Sequence, residues 1–246
     1  MLARASTWCA SRHVDLADLA PLDLGDVADP DLEDGEWRTQ TLAESAATLA
    51  RLALVVGGDN SVTYAAALGV LGADLGTAGL VTLDAHHDFR EGRSNGSPVR
   101  RLVDAGLSAE RVAQVGIADW ANSRSYADEA VARGVHVISR GAVAERGMAD
   151  CMREALDVAG SAGGPIYVDL DIDVCDRSVA PGCPASLPGG LSATELLAAA
   201  FAAGRHPQVR AVDVTEVDAT ADPDGRTVRL ASLALLEACA GLALRP

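Results

Sequence analysis

Lysine is absent from this chain of 246 residues, and all 20 of its basic residues are arginine. The absence of lysine excludes Schiff-base catalysis, a lysine-bound pyridoxal cofactor and the phosphate-binding lysine of P-loop enzymes. The 20 basic residues are outnumbered by 35 acidic residues, which gives a formal net charge of −15. Because nucleic-acid binding depends on clustered lysine and arginine, we expect no nucleic-acid partner.

Long hydrophobic runs and paired cysteines are absent as well. No apolar run approaches the roughly 20 residues that cross a bilayer, and the opening "MLARASTWCASRH" lacks the apolar segment of a secretory signal. The five cysteines include no Cys-x-x-Cys pair and are odd in number, which favours a reducing compartment over a disulfide framework. We therefore expect a cytoplasmic protein with no membrane partner.

Apolar runs of strand length are present and alternate with helical patterns. Runs such as "LALVVGG", "GLVTLDA" and "VRAVDVTEV" suit strands covered on both faces. Ala-rich segments lie between them, such as "SATELLAAAFAAG", which opens with the capping box Ser192 to Glu195. The alternation predicts a three-layer α/β/α fold around a mostly parallel sheet, with ligands bound at the carboxyl ends of the strands. We predict one domain over residues 1–246, in which residues 1–40 form an irregular acidic segment.

Acids and histidines follow one of these predicted strands in "LVTLDAHHDFR". Residues two apart in an extended chain point to the same side, so the spacing predicts that Asp84, His86 and Asp88 converge. His87 points the other way and is interpreted as a packing or supporting residue.

A second run, "YVDLDIDVCD", places Asp169, Asp171 and Asp173 on one side. Either run alone is also typical of exposed acids that meet arginines or helix N-termini. Two such runs in one sheet favour bound cations instead, because burying unpaired carboxylates costs several kcal/mol. Oxygen-rich ligands with an imidazole favour manganese over zinc, and a pair of such ions lowers the pKa of a water between them.

The motifs "GGDNS", "DAHHD", "DIDVCDRSVAPGCPASLPGGL" and "DVTEVDATADPDGRT" occur in the order seen in the ureohydrolase family, which comprises arginase, agmatinase and formimidoylglutamase. The resemblance runs from about Gly57 to the C-terminus. It implies the arginase-like fold, two Mn²⁺ per subunit and a homo-oligomer, either a trimer or a hexamer. It also implies that Asp84 and Asp171 bridge the two ions. Asp88 would bind one of these ions, and His86 and Asp173 would bind the other.

The resemblance further implies that Glu216 binds the amidine or guanidine of the substrate. Asp88 would move a proton from the attacking hydroxide to the leaving amine. Asn60 stands where most members have a histidine ligand, so an amide oxygen would complete that shell and hold its ion more loosely.

Other departures favour the formimidoylglutamase branch. Asn95 replaces the histidine of an H-G-x-P motif, and both Arg90 and Asn122 match that branch, so these three residues are predicted to bind substrate. An arginine-rich loop suits an acidic substrate, which predicts hydrolysis of N-formimidoyl-L-glutamate to L-glutamate and formamide. The "GGDNS" motif and Asp169 weigh against the branch. The alternatives are a guanidino-acid or agmatine hydrolase that releases urea, and a metal-poor relative that binds without turnover.

Overall fold

The computed structural model describes residues 6–30, 32 and 34–245. Its strands are β1 (Trp8–Cys9), β2 (Val14–Asp15), β3 (Ala53–Val56), β4 (Gly79–Leu83), β5 (Val112–Ile117), β6 (His136–Ser139), β7 (Ile166–Asp171) and β8 (Val209–Thr215). Its α-helices are α1 (Gly35–Leu49), α2 (Val62–Leu71), α3 (Pro98–Asp104), α4 (Arg124–Arg133), α5 (Arg140–Arg146), α6 (Met148–Ala159), α7 (Ala193–Arg205) and α8 (Arg226–Ala243).

Six strands form one parallel sheet in the order β3-β8-β7-β4-β5-β6. Every residue of β4, β5 and β7 is buried. Such continuous burial is expected of central parallel strands that carry helices on both faces. The predicted α/β fold with a parallel central sheet is therefore confirmed.

Helices cover the two faces of the sheet with separate apolar cores. One core joins the sheet to α5, α6, α7 and α8, and it includes Leu170, Met152 and Leu196. The other joins the sheet to α1, α2, α3 and α4, and it includes Phe89 and Tyr167. The predicted capping box at the start of α7 is present, with Ser192 and Glu195 each bonded to the other's backbone N–H. These layers hold the strands rigidly at their carboxyl ends.

The topology places a crevice between β4 and β7. These strands are neighbours, but the chain continues from β4 to β5 on one side and from β7 to β8 on the other. Ligands bind at such a switch point in open parallel sheets, outside the carboxyl ends of the strands. Both acidic runs of the sequence lie at this point.

The irregular N-terminal segment ends earlier in the structure than was predicted. Helix α1 begins at Gly35, so residues 35–40 are helical where an irregular segment through residue 40 was predicted. Glu36 in the first turn interacts favourably with the positive end of the helix dipole. This interaction favours a helix here despite the loop-like composition. Before it, β1 and β2 form a small antiparallel pair. Residues 1–5, 31 and 33 lie outside the described part of the chain.

None of the helices in the described part of the chain is both long and apolar enough to cross a membrane.

Candidate metal centre and active site

Three predicted metal ligands come together at the switch point. Asp84, His86 and Asp173 each offer a ligand atom, and these atoms lie within 4.8 Å of one another. His86 Nδ1 is 2.6 Å from Asp173 Oδ2 and 3.5 Å from Asp84 Oδ1. The backbone holds both carboxylates in place, because Ala85 N–H donates to Asp173 Oδ1 at 2.9 Å and His86 N–H donates to Asp84 Oδ1 at 2.6 Å. Backbone N–H groups therefore fix the positions of both carboxylates.

The other predicted carboxylate ligands, Asp88 and Asp171, are buried beside this group. Asp171 Oδ1 accepts the backbone N–H of Asp173 at 2.8 Å. Burial raises the pKa of Asp171 well above its usual range, and the charges of Asp173 and Asp84 raise it further. Burial likewise raises the pKa of Asp88, with Asp84 and Asp173 adding to the shift. Asp84, Asp88, Asp171 and Asp173 are thus buried carboxyl groups whose charges act on one another.

Two values show how strongly these groups interact. Burial, followed by the charge of Asp173, raises the pKa of Asp84 to about 7. Burial opposes a charge on His86, but its hydrogen bonds to Asp173 and Asp84 prevail and raise the pKa of His86 to about 10. The imidazole of His86 thus interacts directly with both carboxylates.

The donor set fits divalent cations. Asp84 Oδ2 is buried and lacks a hydrogen-bond partner among the described residues, and such orphaned oxygens are rare in folded proteins. A cation would satisfy this oxygen and offset the mutual repulsion of the carboxylates. Carboxylate oxygens with one imidazole nitrogen are ligands typical of a hard or borderline divalent ion.

Asp88 and Glu216 share an unusual backbone conformation. Their φ angles are 57° and 61°, in the left-handed region that non-glycine residues rarely adopt. Asp88 C=O accepts the N–H of Arg100 at 3.1 Å, and Glu216 N–H donates to Gly58 C=O at 2.8 Å. Strained residues of this kind cluster at functional sites because the surrounding structure holds them there. Both predicted catalytic carboxylates are held in this way.

Asn60 lies buried between the two catalytic carboxylates. Its Nδ2 donates to Asp88 Oδ2 at 2.8 Å, and its backbone N–H donates to Glu216 Oε1 at 2.9 Å. Its Oδ1 faces away, 2.8 Å from Thr63 Oγ1 and 3.2 Å from Thr215 Oγ1. Hydroxyls accept as well as donate, so half a turn of the amide would preserve these contacts and present Oδ1 toward Asp88. The predicted ligand role of Asn60 requires that turn.

Asn60 is supported by a buried polar network that the sequence patterns did not predict. Asp213 Oδ2 lies 2.7 Å from Thr63 Oγ1 and 2.8 Å from the hydroxyl of Tyr167. Asp213 faces Asp169 across the β7–β8 pair, and burial raises the pKa of both carboxyls. The alternation of Asp213 and Thr215 with valines in β8 was the available signal. Asp169 belongs to this network rather than to the ligand group.

The predicted substrate-binding arginine lines a cleft beside the metal ligands. The cleft, of about 220 Å³, is bordered by His86, Asp88 and Arg90 at the mouth of the site. A larger cleft, of about 460 Å³, opens at the opposite edge of the sheet beside Gly164 and Arg210, far from these carboxylates. The smaller cleft is therefore the candidate substrate site.

The neighbouring arginines of this loop serve the fold. Arg100 pairs with Glu129, while Arg93 and Arg101 both pair with Glu36. Arg90 is exposed and has no salt bridge among the residues that the structure describes. Its guanidinium is thus available for a carboxylate in the cleft.

Asn122 and His87 support the loop of predicted metal ligands, residues 84–88, through hydrogen bonds. Asn122 Oδ1 accepts His87 N–H at 2.9 Å, and its Nδ2 donates to the backbone oxygens of Ala85 and Ala118 at 2.9 and 3.2 Å. The buried ring of His87 bonds through Nδ1 to Gln114 Oε1 at 2.7 Å. His87 is therefore the supporting residue that was predicted. The amide of Asn122 is engaged by backbone groups, so its substrate-binding role stays a prediction.

The protein is therefore a parallel α/β protein in which carboxylates and an imidazole come together at the switch point of the sheet. The chain belongs to the arginase family, whose family model matches residues 1–241. This confirms the predicted family membership and extends the match to residue 1, upstream of the Gly57 boundary inferred from motifs.

Formimidoylglutamases are among the similar proteins. The one from Bacillus subtilis (strain 168) is 36% identical over 198 residues, which cover 78% of this chain and 62% of that protein. Its crystal structure superposes with a TM-score of 0.92, 31% identity and coverage of 99% of this chain and 78% of the other. The formimidoylglutamase of Halalkalibacterium halodurans is 34% identical over 98% of this chain and 78% of its own length.

A formiminoglutamase structure from Trypanosoma cruzi contains Mn²⁺. It superposes with a TM-score of 0.91 and 25% identity, covering all of this chain and 84% of that one. The chain described here thus spans between 62% and 84% of the length of these three relatives.

Proposed function

We propose that the protein hydrolyses N-formimidoyl-L-glutamate to L-glutamate and formamide, with two manganese ions held by Asp84, His86, Asp88, Asp171 and Asp173, and with Asn60 at the weaker position. The observation that carries the proposal is the cleft, which joins the metal ligands His86 and Asp88 to the exposed cation Arg90. A substrate with an amidine at one end and carboxylates at the other matches this arrangement. The similarity to formimidoylglutamases supports the same assignment.

When bound, the cations lower the pKa of a water molecule, so that hydroxide is available near neutral pH. Glu216 accepts an N–H of the amidinium and orients the formimidoyl carbon toward that hydroxide. Arg90 donates to a substrate carboxylate, which fixes the other end of the molecule. The substrate is thereby held at two points.

Asp88 is placed to move the proton. It is buried beside the ligand group, and its Oδ2 accepts Nδ2 of Asn60. A carboxyl group in such a position can take up and pass on a proton. Asp88 takes the proton of the attacking hydroxide and gives it to the nitrogen of glutamate. The bond between the formimidoyl carbon and that nitrogen then breaks, which releases formamide.

Product analysis tests the proposal. The manganese-loaded protein is incubated separately with N-formimidoyl-L-glutamate, 4-guanidinobutyrate, agmatine and arginine, and formamide and urea are quantified. We expect formamide from the first substrate at the highest kcat/KM. Urea from a guanidino acid or agmatine at a higher kcat/KM would overturn the proposal, and no product together with substoichiometric manganese would favour a binding protein.

The homo-oligomer and the cytoplasmic location implied by resemblance and composition remain part of this proposal. Gel filtration with light scattering tests the first, since a trimer or a hexamer is expected.

A further inference from the structure

Glu216 Oε1 is occupied by two donors of the protein itself. It accepts the backbone N–H of Asn60 at 2.9 Å and Nδ2 of Asn95 at 3.2 Å. A carboxylate oxygen has two lone-pair sites, so both sites of Oε1 are in use. Within the residues that the structure describes, no hydrogen bond reaches Oε2. Glu216 therefore has one oxygen rather than two to offer a substrate.

The loop that carries Asn95 is closed on itself. Ser97 Oγ donates to Ser94 C=O at 2.8 Å and accepts Ser94 N–H at 2.9 Å. Arg90 N–H donates to Gly96 C=O at 2.9 Å across the same loop. Glu216 is held in turn by its left-handed backbone at the end of β8. The backbones that carry Asn95 and Glu216 are thus held in place, which keeps the two side chains within reach of each other.

We infer that Asn95 makes Glu216 selective for an amidinium with one terminal nitrogen over a guanidinium with two. This inference rests on the proposed function. A guanidinium presents two adjacent NH₂ groups, which match both oxygens of an unoccupied carboxylate. A formimidoyl group has a C–H where the second NH₂ would be. Its single terminal nitrogen is satisfied by Oε2, and its C–H requires no acceptor.

A guanidinium in the same pose would aim its second NH₂ at Oε1, where no lone pair remains. A donor that loses water on binding and finds no acceptor is costly, and sites discriminate most strongly through such unmet hydrogen bonds. Asn95 thus acts as a specificity-determining residue through Glu216, without itself binding the reacting carbon.

Two matched substrates test the inference: N-formimidoyl-L-glutamate and N-carbamimidoyl-L-glutamate, which differ only by C–H against C–NH₂. The kcat/KM ratio of the two is measured for the manganese-loaded wild type and for Asn95→Ala. We expect the wild type to prefer the formimidoyl substrate, and Asn95→Ala to reduce that preference by about tenfold or more. General damage to the site would lower both rates and leave the ratio unchanged.

Controls separate the possible failures. Glu91→Gln changes an exposed residue of the same loop and is expected to leave the ratio at the wild-type value. Asn95→Ser serves if Asn95→Ala does not fold. An unchanged ratio in both Asn95 variants overturns this inference while formamide release still supports the proposed function. Absence of formamide from the wild type, or a wild-type preference for the carbamimidoyl substrate, overturns the proposed function and this inference with it.

Discussion

At the scale of single residues, Arg90 is the group proposed to recognise an acidic substrate. It is exposed at the cleft that holds His86 and Asp88, whereas Arg93, Arg100 and Arg101 are engaged by glutamates. The resemblance singles out Arg90, but the sequence does not show which of the four is left to bind a substrate. Glu36 and Glu129, contributed by other helices, pair with the other three.

Replacing Arg90 should weaken substrate binding selectively. Arg90→Gln is expected to lower kcat/KM for N-formimidoyl-L-glutamate about 10- to 100-fold, mainly through KM, because a charge-assisted hydrogen bond is lost. Arg124→Gln is the matched control, since Arg124 is exposed on α4 and pairs only with Asp128 one turn away. Steady-state kinetics check both variants. Equal losses in the two, or none in Arg90→Gln, would contradict the assignment.

The proposed weaker metal position depends on Asn60. An amide oxygen is a weaker ligand than an imidazole nitrogen for manganese, and here it must also turn away from Thr63 and Thr215. Asn60→His is therefore expected to raise the manganese retained per chain after dialysis, measured by inductively coupled plasma mass spectrometry. Asn60→Ala adds no imidazole and should retain no more than the wild type. Equal retention in the wild type and Asn60→His would refute the weak-site explanation.

At the scale of elements, the strand ends were predictable but the way they converge was not. Apolar runs located β4 and β7, and their shared edge followed from parallel pairing. The strands, however, end at Leu83 and Asp171. Asp88 then turns inward through a left-handed backbone, and Asp173 lies in a short 3-10 turn. Strict alternation pointed to Asp84, His86 and Asp173, which do come together, but their convergence depends on turns that no periodicity reveals.

Contacts between distant loops were beyond the sequence argument. The bond from Asn95 to Glu216 joins residues 121 positions apart, one in the loop before α3 and the other directly after β8. The network of Asp213, Tyr167 and Thr63 similarly joins two strands and a helix. The family resemblance predicted roles for Asn95 and Glu216, but not that they touch.

The packing of α7 against α8 depends on glycine. A Cβ at Gly204 would lie 2.0 Å from the backbone oxygen of Ala238, so the helices would have to separate. Gly204→Ala is expected to lower the free energy of unfolding by about 1–3 kcal/mol. Urea denaturation checks the change.

Gly76→Ala is the control for that substitution. No atom lies within 4 Å of a Cβ added at Gly76, so the unfolding free energy should be unchanged or slightly raised. A loss at Gly76 equal to that at Gly204 would show that close helix packing is not the cause.

At the scale of the whole molecule, the carboxylate cluster links stability to pH. Burial raises the folded-state pKa of Asp84 from its ordinary 3.8 to about 7. A group with a raised folded pKa stabilises the fold while protonated, and this contribution is lost as pH rises between those two values. The shifts of Asp88 and Asp171 have the same sign, whereas that of Asp173 is opposite because His86 outweighs its burial.

The metal-free protein should therefore melt at a lower temperature at about pH 8 than at about pH 5. Added manganese should raise the melting temperature more at the higher pH, because cations bind deprotonated carboxylates. Differential scanning calorimetry of the metal-free and loaded forms checks this. Asp84→Asn should reduce the pH dependence of the metal-free form, and a metal-free protein that is more stable at the higher pH would contradict the linkage.

We propose that the strand ends at β4 and β7 hold a pair of manganese ions. Anomalous scattering from crystals grown with Mn²⁺ is the direct test. We predict two anomalous peaks per chain, roughly 3.5–4 Å apart, that are bridged by Asp84 and Asp171. Full occupancy is expected beside His86 and Asp173, with lower occupancy beside Asn60. The absence of a peak among these carboxylates in manganese-saturated crystals would contradict the account.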